Sequence, residues 1–290
     1  MEIAVISGKG GTGKSSISAA FMSLVSNVMA VDCDVDASNL YLLFHPFHDK
    51  ELVFVSGKHA KVDNEVCIGC GRCEELCRFD AIEMTQGKAV IDEISCDGCA
   101  LCYRICPVDA ITMIPVDKSR MYIGTFRHGN MVYGRLAPGE ENSGKMVNQI
   151  REISKNIAKE KLCPVTILDG PPGIGCPVLS TITGVDKVVI VTEPTLSGFS
   201  DLKRAVELVR QYSLPTYVII NKCTLNQTVA RQVEDWCAEK NVPVVALLPF
   251  SPEMVEALVE GKTIVEYRPQ SDMTNLLKKT VWTAINNLLR

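Results

Sequence analysis

Short apolar runs closed by glycine or acidic residues recur along the chain and alternate with amphipathic stretches. Residues 3–6, 28–31, 52–55, 165–168, 187–191, 216–220 and 242–248 have the unbroken apolar character of strands buried on both faces. Helical patterns fill 17–25, 200–212 and 228–240, and a polar helix is expected within 139–161. Residues 120–134 alternate and break at His128-Gly129-Asn130, which predicts a hairpin. Strand-helix alternation of this kind predicts an α/β fold with a mostly parallel, doubly wound sheet.

The rhythm breaks between residues 58 and 115. Residues 67–77 read CIGCGRCEELC and 96–107 read CDGCALCYRICP, each a C-x₂-C-x₂-C-x₃-C run. The chain carries 13 cysteines and starts on a strand rather than a secretory signal, which favours a reducing cytoplasm and metal ligation over disulfides. Thiolates at this spacing bind 4Fe–4S cubanes, the fourth cysteine of each run serving the other cluster. Cys67, Cys70, Cys73 and Cys106 are thus expected to hold one cluster, and Cys96, Cys99, Cys102 and Cys77 the second. Zinc needs a pair of pairs and would leave the third cysteine of each run without a role. Phe79-Asp80-Ala81-Ile82 matches Val108-Asp109-Ala110-Ile111, an internal duplication that resembles a bacterial two-cluster ferredoxin, although Arg78 stands where that pattern has proline. The expected organisation is one α/β domain over 1–57 and 116–290, with a small α+β ferredoxin-type insert over 58–115.

The stretch SGKGGTGKSS, residues 7–16, follows the first strand and opens the first helix. Residues 8–15 satisfy G-x-x-x-x-G-K-[ST], a phosphate-binding loop. Gly8, Gly10, Gly11, Thr12, Gly13 and Ser16 lie along the chain that turns its N–H groups onto phosphates. Lys14 is expected to reach the β- and γ-phosphates and Ser15 to ligate Mg²⁺.

With Lys9 near its start, the K-G-G-x-G-K-S stretch resembles the deviant Walker A loop of the MinD, Mrp and nitrogenase-iron-protein superfamily. The resemblance implies that Lys9 reaches the partner's phosphates in a nucleotide-sandwich homodimer formed on ATP binding. Asp32, Asp34 and Asn39 resemble the family's switch I segment, which implies that Asp34 orients the attacking water and Asp32 acts through the Mg²⁺ shell. Asp169-Gly170-Pro171-Pro172-Gly173 resembles Walker B and switch II, which assigns Asp169 to the Mg²⁺ shell. Asn221-Lys222 matches the pair whose asparagine reads adenine, and so implies ATP and ADP as ligands. Cys176 falls at the spacing of a bridging-cluster cysteine of the nitrogenase iron protein, but Asn142 stands where its companion would be.

These modules together lead to the expectation of an ATPase that couples its nucleotide state to electron transfer through the two clusters, toward a redox partner. A cluster-assembly carrier is the alternative and a MinD-like positioning ATPase the third reading. A net charge of −4 gives no case for nucleic-acid binding. The C-terminal helix, with Leu277, Val281, Ala284 and Leu288 at helical spacing, has too thin a basic face for expected membrane attachment.

Overall fold

The computed structural model describes the backbone of residues 1–286 and the side chains of residues 1–281. Leu288 lies outside the described residues, as does the side chain of Ala284. The chain divides into two compact units: Met1–Glu51 with Met121–Gly134 and everything from Ser143 onward, and Leu52–Arg120 with Arg135–Asn142.

In chain order the first elements are β1 (Glu2–Ser7), α1 (Lys14–Ser23), β2 (Val28–Asp32), α2 (Leu40–Phe44) and β3 (Phe47–Phe54). The cysteine-rich part follows with β4 (Gly57–Val62), α3 (Arg72–Glu75), β5 (Ile82–Thr85), β6 (Lys88–Ile91), α4 (Leu101–Ile105) and β7 (Ile111–Val116). The chain continues through the hairpin of β8 (Ser119–Phe126) and β9 (Gly129–Arg135), then α5 (Ser143–Glu160), β10 (Thr166–Pro172), α6 (Cys176–Ile182) and β11 (Lys187–Thr192). It closes with α7 (Leu196–Arg210), β12 (Thr216–Ile220), α8 (Gln227–Glu239), β13 (Val244–Leu247), α9 (Pro252–Val259), α10 (Ile264–Tyr267) and α11 (Asp272–Asn286).

Nine strands form one sheet in the order β13-β12-β11-β1-β10-β2-β9-β8-β3. Every pairing from β13 to β9 is parallel. The central strands are buried along nearly their whole length, which is why they read as unbroken apolar runs rather than alternating ones. Helices cover them: α5 buries Met146, Val147, Ile150, Arg151 and Ser154, the turn-by-turn spacing of a single face, whereas α1 buries every residue from Ile17 to Met22. Thr195 caps α7 by accepting from the Gly198 amide, and Asn226 caps α8 from Val229, so both helix starts are satisfied locally. Among the described residues no helix is long and apolar enough to cross a membrane.

The second unit is built from two antiparallel pairs, β4 with β7 and β5 with β6. Its halves repeat in conformation as well as sequence. Gly69 and Gly98 both have φ 71°, and Asp80 and Asp109 sit at 49° and 50°. The Asp63 amide donates to the Ala110 carbonyl at 2.7 Å, and the Asp92 amide to Ala81 at 2.8 Å. Arg135–Asn142 belongs to this unit because its polar groups bind there: Glu140 accepts from the Lys118 amide at 2.8 Å, and the Asn142 amide donates to the Ser56 carbonyl at 2.7 Å. The unit's buried apolar side chains are Phe54, Ala60, Ala81, Ile82, Ala89, Ala110 and Ile111, mostly alanine. That core is thin for a unit of its length.

Candidate functional site

In the first unit, β1, β10 and β2 are neighbours, and their C-terminal ends gather the charged groups. The loop after β1 turns through Gly11 and Gly13, at φ 81° and 87°, values that side chains avoid. At Gly13 a Cβ would also strike the Asn221 amide nitrogen at 2.3 Å. The Gly13 carbonyl then accepts from Ile17 as the first helical bond of α1. Lys14, buried at the start of α1, donates to Asp169 Oδ1 at 2.8 Å and to Ser15 Oγ at 3.1 Å. Ser18 Oγ donates to the same Asp169 oxygen at 2.7 Å.

Asp169 on β10 and Asp32 on β2 are partners in the parallel register, which sets two fully buried carboxylates on adjacent strand ends. Asp32 accepts from the amides of Asp34, Asn39 and Leu40 at 3.1 Å each and from Ser38 Oγ at 2.8 Å. It is therefore the anchor of the switch-I-like loop. Burial, reinforced by Asp169, pushes the Asp32 pKa up to about 7. Burial opposes the charge on Lys14, but Asp169 outweighs it and raises the lysine's pKa. Burial also raises the pKa of Asp34, against the pull of Lys14. One cation among three carboxylates leaves excess negative charge. Asp169 Oδ2, buried without a hydrogen-bond partner, is an open acceptor. This donor set suits a hard divalent cation.

The charge imbalance has a pH consequence. An Asp titrating near 4 when unfolded and near 7 when folded binds more protons in the folded state between those values. Stability of the free chain should therefore fall as pH rises from 5 to 8, by roughly 2–4 kcal/mol, with Asp34 acting in the same direction. Melting temperatures across that range without Mg²⁺ or nucleotide check the slope; a flat or rising curve contradicts it.

Lys9 does not point free into solvent. It pairs with Glu193 Oε1 at 2.7 Å and donates to Thr195 Oγ1 and Ser197 Oγ. The Asn221 amide donates to the Thr12 carbonyl at 2.7 Å, beneath the loop, and Lys222 reaches the Gly11 carbonyl at 2.8 Å. Gly11, Gly13, Ser16, Asn221 and Lys222, with Pro249, Phe250, Ser251, Met254, Val255 and Leu258, line an open cleft of about 520 Å³. Ser15, Ser16, Asn39 and Leu40 line another of about 610 Å³. Glu193, Ser18 and Ser197 were not among the residues expected from the sequence. Glu193 follows β11 directly, and the rule that ligand groups gather at the C-terminal ends of parallel strands points to it.

The cysteines of the second unit line two cavities. One, with an empty space of about 380 Å³ including its mouth, is lined by Cys67, Cys70, Cys73 and Cys106. The other, about 360 Å³, is lined by Cys77, Cys96, Cys99 and Cys102, with Cys73 between the two. Among the described residues no three His, Cys, Asp or Glu side chains close on a single metal ion. Backbone amides of Ala89 and Gly69 hold the Cys67 thiol below its ordinary range, and the Ala110 amide donates to Cys106 Sγ at 3.3 Å. Cys176, at the start of α6, is exposed.

Residues 3–264 match the family model described as CobQ/CobB/MinD/ParA nucleotide binding domain. The uncharacterized protein MJ0578 of Methanocaldococcus jannaschii is 42% identical over 229 residues, 78% of this chain and 79% of that protein. Among solved structures, the septum site-determining protein MinD of Pyrococcus horikoshii, complexed with Mg-ADP, superimposes with a TM-score of 0.60 at 20% identity, covering 99% of this chain and 96% of that one. The cell division ATPase MinD of Pyrococcus furiosus gives 0.59 at 20% identity, with 99% and 98% covered.

These findings correct the leading expectation from sequence, an ATPase that couples nucleotide state to electron transfer through two clusters. The likenesses run over almost the whole chain to MinD-type ATPases, and the third reading, a MinD-like positioning ATPase, fits them better. The physical fault lay in joining two ligand sets because one chain carries both. Coupling requires nucleotide states that contact the clusters differently, and motif spacing contains no such information.

Proposed function

The chain belongs to the CobQ/CobB/MinD/ParA nucleotide-binding family, and on that premise we propose that it is a Mg²⁺-dependent ATPase of the MinD/ParA type whose ATP state is a homodimer that marks a position or holds a partner. The observation that carries this reading is the buried Lys14–Asp169–Asp32 group beside the glycine loop, with its unfilled Asp169 oxygen. Ser15, Asp32 and Asp169 would hold Mg²⁺, directly or through its water shell. Gly8, Lys9, Gly10, Gly11, Thr12, Gly13, Lys14 and Ser16 would receive the phosphates, and Asn221 and Lys222 line the cleft that would take the base. The Asn221 amide nitrogen already serves Thr12, so its carbonyl oxygen is the group left to accept from an adenine amino group. Lys9 would cross to the partner's phosphates.

In this reading Asp34 orients the attacking water, half-buried and near Lys14. Asp34→Ala should slow hydrolysis by about 10²-fold, the usual scale for losing an acid–base group, and should prolong the ATP dimer. Phosphate release and light scattering on the same samples test it. Unchanged turnover would remove Asp34 from the mechanism.

The second unit supports a finer reading: a ferredoxin-type insert whose two cavities take one 4Fe–4S cluster each. Cys67, Cys70, Cys73 and Cys106 would ligate one, and Cys96, Cys99, Cys102 and Cys77 the other. The fit rests on the four expected ligand cysteines of each cluster lining one cavity and on backbone N–H groups directed at sulfur. When bound, each cluster would cross-link the two cysteine runs of a unit whose apolar core is thin.

A further inference from the structure

An ammonium group has three donors, and Lys9 directs its Nζ at three acceptors of its own chain. They are Glu193 Oε1 at 2.7 Å, Thr195 Oγ1 at 3.1 Å and Ser197 Oγ at 3.0 Å. The other Glu193 oxygen lies 3.1 Å from Lys222, which in turn holds the Gly11 carbonyl of the loop. One carboxylate thus spans two lysines.

We propose that Glu193 is a latch that holds Lys9 in its own subunit and sets the threshold for nucleotide-driven dimerisation. The proposal rests on the reading of Lys9 as the intersubunit contact. Three occupied donors leave nothing for a partner's phosphate, so Lys9 must leave Glu193 before it can cross. Lys9 is 27% exposed and Glu193 15%, so the pair is accessible to solvent and can open. Release does not strand the carboxylate, because Lys222 remains beside it. The bound phosphates of a second subunit offer more negative charge than one carboxylate, which makes exchange favourable only when nucleotide is present. Glu193 acts here as a positioning residue for Lys9.

A dimer opens two latches, so the effect of weakening each enters twice. If each pair has the strength usual for partly exposed ion pairs, E193Q should lower the protein concentration for half-dimerisation by roughly 2- to 30-fold. S197A, which removes one acceptor and no charge, should shift it in the same direction by less. The measurement is sedimentation velocity across protein concentrations with Mg²⁺ and a non-hydrolysed ATP analogue, with ADP as the second arm. Both variants should remain monomeric with ADP. A residue that merely kept Lys222 on Gly11 would give the opposite sign, weaker dimerisation on substitution. Wild type that dimerises, with E193Q and S197A unchanged or weaker, overturns the latch alone. Wild type that stays monomeric overturns the reading of Lys9 and the latch with it.

Discussion

Lys14→Ala is expected to lower nucleotide affinity by on the order of 10²-fold or more and to destabilise the free chain at the same time. The two effects have one cause. Lys14 is 6% exposed and Asp169 fully buried, 2.8 Å apart, and Asp32 faces Asp169 across the strand register. Removing the cation leaves buried carboxylates with no counter-charge, which typically costs about 3–5 kcal/mol. The loss should be largest near pH 8 and smaller near pH 5, where Asp32 can take a proton. Calorimetry at both pH values, with titration of ADP and Mg²⁺, checks the pair of effects. A variant as stable as wild type would contradict the charge account of this site.

The second large effect concerns the cysteines, and it distinguishes crossed ligation from two self-contained runs. Anaerobically prepared wild type should carry about eight iron and eight sulfide per chain, without stoichiometric zinc. Cys67 and Cys106 line the same cavity although they come from different runs, whereas Cys67 and Cys96 line different ones. The double variant Cys67→Ser with Cys106→Ser should therefore keep about four iron, and Cys67→Ser with Cys96→Ser should keep almost none. The latter should also become sensitive to proteolysis within Leu52–Arg120, since little apolar core remains to hold it. Almost no iron left in the Cys67→Ser, Cys106→Ser variant would contradict the crossing, and stoichiometric zinc would contradict clusters altogether.

Much of the nucleotide unit was legible because its strands are buried on both faces and its loop must turn where only glycine turns easily. The stretch after residue 2 leaves few alternatives: apolar run, glycines, Lys14, helix. What the sequence did not contain was sheet order. Nothing in it says that β10 lies between β1 and β2, so the opposition of Asp169 and Asp32 could not be read. Strand β3 was expected only over its apolar end; its Phe47–Glu51 half is exposed and, after Phe47, polar, as an edge strand can be, and reads as loop. Strand β4 pairs with β7 across the cysteine runs, a long-range partnership that local propensity cannot announce. The short α2, LYLLF, is too brief to show a period. Lys9 was singled out by its place in the motif, while its acceptors lie some 185 residues away in the chain, at the start of α7.

In the proposed cycle ATP with Mg²⁺ drives two copies of this chain together through Lys9. Sedimentation of wild type and Lys9→Ala, each with ADP and with a non-hydrolysed ATP analogue, tests it most directly. The expected result is a dimer for wild type with the analogue only, and monomer for Lys9→Ala in both states with nucleotide still bound. A Lys9→Ala protein that dimerises as wild type does, or a wild type that is monomeric with the analogue bound, would contradict it.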